Sequence, residues 1–121
     1  MFHTGVILID HGSRRVEANA MLEQVAALMR KNVDDEVFVT HAHMELAEPD
    51  LKQAVELCLK EGIDRLIVHP YMLSPGKHAS RDIPEMVEAI ARNHPSIRFR
   101  VTEALGLHQG LIDAVKDRCG L

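Results

Sequence analysis

Eight histidines in 121 residues give this chain a large supply of side chains that act as ligand, proton acceptor or proton donor near pH 7. Two lie in its most polar, turn-rich segments. His11 sits in Asp10-His11-Gly12-Ser13-Arg14-Arg15, and His78 in Ser74-Pro75-Gly76-Lys77-His78-Ala79-Ser80-Arg81. A pair of facing imidazoles suits metal binding or proton transfer, since an unperturbed imidazole is neutral at pH 7. Two histidines do not fill a first-row metal's coordination sphere, so other ligands are needed, and Glu45 is one supplement. Arg14, Arg15, Lys77 and Arg81 are four cations in two segments of a chain whose net charge is −4. They read as a basic rim for an anionic ligand, the arginines as forked carboxylate or phosphate binders. His41 and His43 form an H-x-H pair read as polar strand-end residues. His69 reads as a packing or supporting residue, and His3, His94 and His108 as solvated or capping residues, His108 being the one nearest to bordering a cleft. Cys58 falls in an apolar helical stripe and reads as core, while Cys119 lies close to the C-terminus.

The elements that must position these residues follow from periodicity. Gly5–Ile9 is a continuous apolar run suited to a strand buried on both faces. Val16 to about Lys31 has helical spacing (Ala18, Met21, Leu22, Val25, Leu28, Met29). Glu36–Ala42 reads as a second strand. A helix opens at Pro49, carries Leu51, Ala54, Val55, Cys58 and Leu59 on one stripe, and ends with Gly62 as C′. Arg65–His69 is a third strand, followed by a long loop from Tyr71 to about Arg81. A helix from Ile83-Pro84 to Asn93, an alternating edge strand Ile97–Val101 and a last helix from about Gln109 to Arg118 complete the chain. The order βαβαβαβα predicts an α/β fold, a small doubly wound four-stranded parallel sheet of order 2-1-3-4 with helices on both faces. Ligands in such sheets bind beyond the carboxyl ends of the strands where the order reverses, here between strands one and three. The segments holding His11 and His78 follow those two strands, so topology and composition select one crevice.

Composition bounds the rest. One domain over residues 1–121 is expected. With 46% hydrophobic and 26% charged residues the chain is globular. No basic run and 3% aromatics argue against a nucleic-acid partner. No apolar stretch is long enough to span a bilayer and none reads as a signal peptide, so a cytoplasmic, reduced protein is expected. No C-x-x-C, G-x-G-x-x-G or Walker pattern occurs, which disfavours an iron–sulfur cluster, dinucleotides and nucleoside triphosphates.

The segments Ile9-Asp10-His11-Gly12-Ser13-Arg14, Glu45-Leu46-Ala47-Glu48-Pro49, Pro70-Tyr71-Met72-Leu73-Ser74-Pro75-Gly76-Lys77-His78 with Asp82-Ile83-Pro84, and Ala104-Leu105-Gly106 together resemble the short, single-domain sirohydrochlorin chelatases of the CbiX/SirB type, class II tetrapyrrole chelatases. The match spans nearly the whole chain in order and spacing. The resemblance implies ATP-independent insertion of Co²⁺ or Fe²⁺ into sirohydrochlorin, a polycarboxylate tetrapyrrole, on the way to cobalamin or sirohaem, and association of two chains as a homodimer. It places His11 and His78 at the family's active-site histidines, as metal ligands and catalytic groups, and Glu45 at a recurrent acidic position. Ser13, Arg14, Arg15, Ser74, Gly76, Lys77 and Arg81 are then the expected substrate contacts. No cofactor beyond the divalent metal substrate is expected. The histidine-rich tract and the C-terminal iron–sulfur cluster of some relatives are missing from this sequence, which removes two clues to the metal. A nickel chelatase acting on a related macrocycle and a non-catalytic histidine-based metal carrier are the alternatives. Asp10-His11-Gly12 is also similar to the R-H-G of histidine phosphatases, but Asp stands where that chemistry needs a phosphate-clamping Arg.

Overall fold

In the computed structural model, residues 2–121 are described. The strands are β1 (Thr4–Asp10), β2 (Val37–His43), β3 (Arg65–Pro70) and β4 (Arg98–Val101), and the helices α1 (Val16–Asn32), α2 (Leu51–Lys60), α3 (Ile83–Ala91) and α4 (Gln109–Cys119). The sheet has the order β2-β1-β3-β4, with every neighbouring pair parallel. That is the arrangement expected from the alternation of strand and helix.

Side chains of β1 point alternately to the two faces, and each set has its own core. Ile7 and Ile9 pack with Leu51, Val55 and Cys58 of α2 and Ile83 and Val87 of α3. Leu8 packs on the other face with Leu22 and Ala26 of α1 and Val39 of β2. Ile7, Leu8 and Ile9 of the central strand are therefore apolar in succession because both faces are covered there.

Three boundaries and the packing of one helix differ from expectation. First, β2 runs to His43, because Asp10 and His43 are register partners at the end of the β1–β2 ladder. Second, α2 does not open on Pro49. Asp50 caps it, accepting from the Gln53 N–H at 2.8 Å, while the Gln53 side chain accepts from the Asp50 N–H, a reciprocal pair stronger than a proline start. Third, the loop after β3 ends early. His78–Asp82 forms one wide turn of π-helix type that runs into α3. Pro84, which has no N–H to give to the preceding turn, sits where the wide turn narrows. Fourth, α4 forms where expected but covers neither face of the sheet. It has no buried residue.

Candidate active site

Two loops carry the site, and backbone hydrogen bonds lock the first of them in place. After β1 the chain turns at Gly12, whose φ of +87° favours glycine. A Cβ at this position would lie 1.8 Å from the Glu45 carbonyl oxygen, so only glycine fits between the β1 and β2 loops. The Met44 N–H donates to the Asp10 carbonyl at 2.9 Å and the Glu45 N–H to the His11 carbonyl at 3.2 Å. Asp10 adds side-chain contacts. Its Oδ1 accepts from the Gly12 N–H at 3.0 Å and lies 2.6 Å from Nδ1 of His43, which is buried. Asn19 on α1 holds the next residue from both sides, accepting from the Ser13 N–H at 2.9 Å and donating to the Ser13 carbonyl at 2.7 Å.

The second loop follows β3. The wide turn His78–Asp82 brings His78 over the first loop, and the rings of His11 and His78 meet edge to face, centroids 4.5 Å apart and planes at 88°. His78 Nδ1 lies 2.9 Å from Asp82 Oδ2, four residues on along the turn. A carboxylate this close favours the proton on Nδ1, the arrangement that leaves the Nε2 lone pair free. Arg81 Nε lies 3.5 Å from the other Asp82 oxygen. The two histidines line one open cleft of about 310 Å³ with Tyr71, Met72, Ser74 and Gly76. A neighbouring hollow of about 500 Å³ shares Ala79 with it and extends past Ser80 and Pro84 to the 102–106 strip. The site is thus a shallow double hollow, suited to a flat ligand.

Of the residues singled out in the sequence, His11, His78, Ser74 and Gly76 meet in this cleft. Ser13, Arg14 and Arg15 continue the His11 loop, and Ser13 Oγ accepts from the Arg15 N–H at 3.0 Å. Arg14, Arg15, Lys77 and Arg81 are all exposed, and none of them lines the cleft or the hollow beside it. Glu45 is exposed on the adjoining β2 loop and does not line the cleft. Among the described residues, no three His, Cys, Asp or Glu side chains converge as a preformed metal cage. His108 caps α4, accepting from the Gly110 N–H at 2.9 Å, and does not line the His11–His78 cleft or the hollow beside it. His69 pairs with the Thr102 hydroxyl at 2.7 Å, and burial holds its pKa below the usual value. His41 is likewise held down, by burial and then by the neighbouring His43. Asp10 and Asp82 stand in the sequence motifs without a role assigned to them, and Asn19 stands outside those motifs. Asp82 had a signal, the i, i+4 spacing from His78, but that spacing means contact only once the segment is known to be helical.

A parallel α/β sheet with two imidazoles meeting at its switch point defines a small α/β protein with a histidine pair suited to metal binding or proton transfer. Comparison with known proteins makes the class specific. The CbiX family model matches residues 5–120, and the chain belongs to that family. It is 42% identical over 94% of its length to the chloroplastic sirohydrochlorin ferrochelatase of Arabidopsis thaliana, and covers 50% of that protein. It is 30% identical to the sirohydrochlorin cobaltochelatase of Sulfurisphaera tokodaii, over 94% of this chain and 89% of the relative. Among solved structures, the sirohydrochlorin chelatase SirB of Bacillus subtilis in complex with cobalt superimposes with a TM-score of 0.90 at 28% identity, covering 98% of this chain and 50% of that one. Against several curated relatives, then, the chain spans about half their length.

Proposed function

We propose that this protein inserts a divalent metal, Co²⁺ or Fe²⁺, into sirohydrochlorin without ATP, His11 and His78 acting on the metal and on the pyrrole protons. The edge-to-face His11–His78 pair, with His78 tied to Asp82, carries this reading. Family membership supports it, as do relatives named for ferrochelatase and cobaltochelatase activity.

Insertion exchanges one M²⁺ for two pyrrole N–H protons, so two protons must leave as the cation enters. His78, its Nδ1–H held by Asp82, offers Nε2 as ligand or base. His11 lies beside it as the second acceptor. Glu45 joins through its loop, whose N–H is bonded to the His11 carbonyl, and its exposed carboxylate completes the set when metal arrives. Arg14, Arg15, Lys77 and Arg81 pair with the substrate's carboxylates, and Ser13, Ser74 and Gly76 border the bound macrocycle. Two chains act together as a homodimer in the cytoplasm.

The test is anaerobic. The protein is mixed with sirohydrochlorin and Co²⁺ or Fe²⁺, and the visible spectrum is followed against a no-protein control. The expected result is acceleration that disappears in His11→Ala and His78→Ala while the circular dichroism spectrum is kept. A His11→Ala protein of normal activity would refute the assignment. Stoichiometric metal binding with no acceleration would leave a metal carrier.

A further inference from the structure

Two apolar surfaces of this chain lie without partners. The first is on the α1 side of the sheet, where α1 covers β1 and β2 but leaves β3 bare. A groove of about 360 Å³ runs there between Val6, Val25, Met29, Ile67, Tyr71 and Leu105. The second is α4. Leu111, Ile112, Val115 and Cys119 follow one another at helical spacing along one stripe, and Asp113, Lys116, Asp117 and Arg118 fill the rest. Ile112 is 51% exposed, Val115 59% and the preceding Leu107 fully so. An amphipathic helix with its apolar stripe in water lacks the packing that normally stabilises it.

The path of the chain explains why α4 does not cover its own groove. The Leu105 N–H donates to the Met72 carbonyl at 2.9 Å and the Gly106 N–H to the Leu73 carbonyl at 2.8 Å, which fastens the linker beside the β3 loop. Only Leu107 and His108 then separate the fastened Gly106 from α4, and His108 is already its cap. The groove and the stripe are therefore displayed side by side on one chain. Surfaces of this kind satisfy each other in a two-fold pair, in which each α4 lies on the other copy's sheet. The relatives twice this length have room for a second unit beside the one they share with this chain.

We infer that α4 of one protomer docks in the β1–β3 groove of a second copy of this chain. This rests on the homodimer proposed above and names the surfaces that form it. Tyr71 lines both the groove and the His11–His78 cleft, so the docked helix packs directly behind the site.

The test is the mass in solution of the full chain by light scattering after gel filtration. Two chains of 13.6 kDa give 2 × 13.6, or 27.2 kDa. Three samples are compared: the unaltered chain, a helix variant (Ile112→Glu with Val115→Glu) and a groove variant (Ile67→Glu). Circular dichroism confirms folding. The expected result is 27.2 kDa for the first and 13.6 kDa for each variant alone. An equimolar mixture of the two variants should recover dimer, because the groove variant's intact helix meets the helix variant's intact groove. Should Ile67→Glu fail to fold, Met29→Glu replaces it on the α1 wall. A helix variant that stays dimeric overturns this inference and leaves the homodimer standing on another surface. Two monomeric variants that do not complement each other also overturn it, since an intact helix and an intact groove that recognise each other must pair in the mixture. A monomeric unaltered chain overturns both the inference and the homodimer. Metal insertion, measured separately, decides the chelatase reading in every case.

Discussion

Gly12→Ala should damage both stability and activity, and the structure sets the size of the effect. The added Cβ would lie 1.8 Å from the Glu45 carbonyl oxygen, whereas real Cβ contacts essentially never fall below 3.0 Å, so the β1 and β2 loops must part by at least 3.0 − 1.8, or 1.2 Å. A gap of that size breaks the Glu45 N–H to His11 carbonyl bond and strains the Met44 N–H to Asp10 carbonyl bond beside it. Each is worth about 1 kcal/mol. The φ of +87° adds about 1–2 kcal/mol for any residue with a Cβ. The total is about 2–4 kcal/mol. Gly62→Ala is the matched comparison. Its φ is +78°, but a Cβ there meets nothing within 4 Å, so only the backbone cost of about 1–2 kcal/mol applies. At roughly 3–6 °C per kcal/mol for a domain of this size, Gly12→Ala should melt roughly 6–24 °C lower and Gly62→Ala roughly 3–12 °C lower, the first about twice the second. Calorimetry measures the melting, and anaerobic insertion of Co²⁺ into sirohydrochlorin measures the site. Gly12→Ala should lose most of its rate, because His11 and Glu45 move apart, and Gly62→Ala should keep its rate. Equal melting of the two variants would refute the steric argument. A destabilised Gly12→Ala with full rate would refute the claim that this loop contact positions His11.

Asp82→Asn removes the carboxylate that fixes the His78 tautomer, and should slow insertion about 10–100-fold with little change in melting. An unchanged rate would show that the carboxylate does not prepare His78. Stability should fall with pH through His41 and His69. Burial is the first cause of the lowered pKa of each, so the unfolded chain takes up protons near the ordinary 6.5 while the folded chain resists. Their contribution is complete at pH 7.5, shrinks as pH falls through 6.5, and levels off below the folded values. Urea midpoints at pH 7.5 and 5.5 measure this, and His41→Gln with His69→Gln should flatten the slope. Burial also pushes the Cys58 thiol up to about 12, whereas Cys119 is exposed. An aromatic disulfide reagent at pH 8 should therefore leave Cys58 unreacted in the native protein and reach it in urea. Two fast native thiols would mean that the α2 core opens readily.

Much of this architecture is legible in the sequence because it rests on strong, local signals. The run Val6–Ile9 can be apolar throughout only in a central strand, and strand–helix alternation with right-handed crossovers leaves few topologies to choose among. The switch point then selects the segments that follow β1 and β3, and His11 and His78 do meet there. What the sequence hid depends on geometry that no periodicity encodes. The Asp10–His43 pair needs the β1–β2 register. The His78–Asp82 pair needs a wide turn, and that turn forms against Pro84.

Glu45 marks the limit of reading chemistry from position. It follows the strand beside β1, and its backbone is bonded to His11, yet its carboxylate lies outside the cleft and no three-ligand cage exists among the described residues. On the proposed chelatase function this openness has a use. A closed tetrahedral cage would hold a metal too tightly to give it up, because the three- and four-ligand sites that retain zinc do so by completing its coordination. On the proposed function, two imidazoles with an exposed carboxylate nearby would hold the cation loosely and leave its remaining positions to the macrocycle's nitrogens. The same arrangement cannot select a metal by affinity, since nitrogen and oxygen donors favour Cu²⁺, Ni²⁺ and Zn²⁺ over Fe²⁺ whatever the fold. Discrimination must then lie in the insertion step, where the metal's fit to the macrocycle and the departure of two protons set the rate. Insertion rates with Co²⁺, Fe²⁺ and Ni²⁺ should accordingly rank differently from their binding constants, and identical rankings would place selectivity at the histidine pair after all.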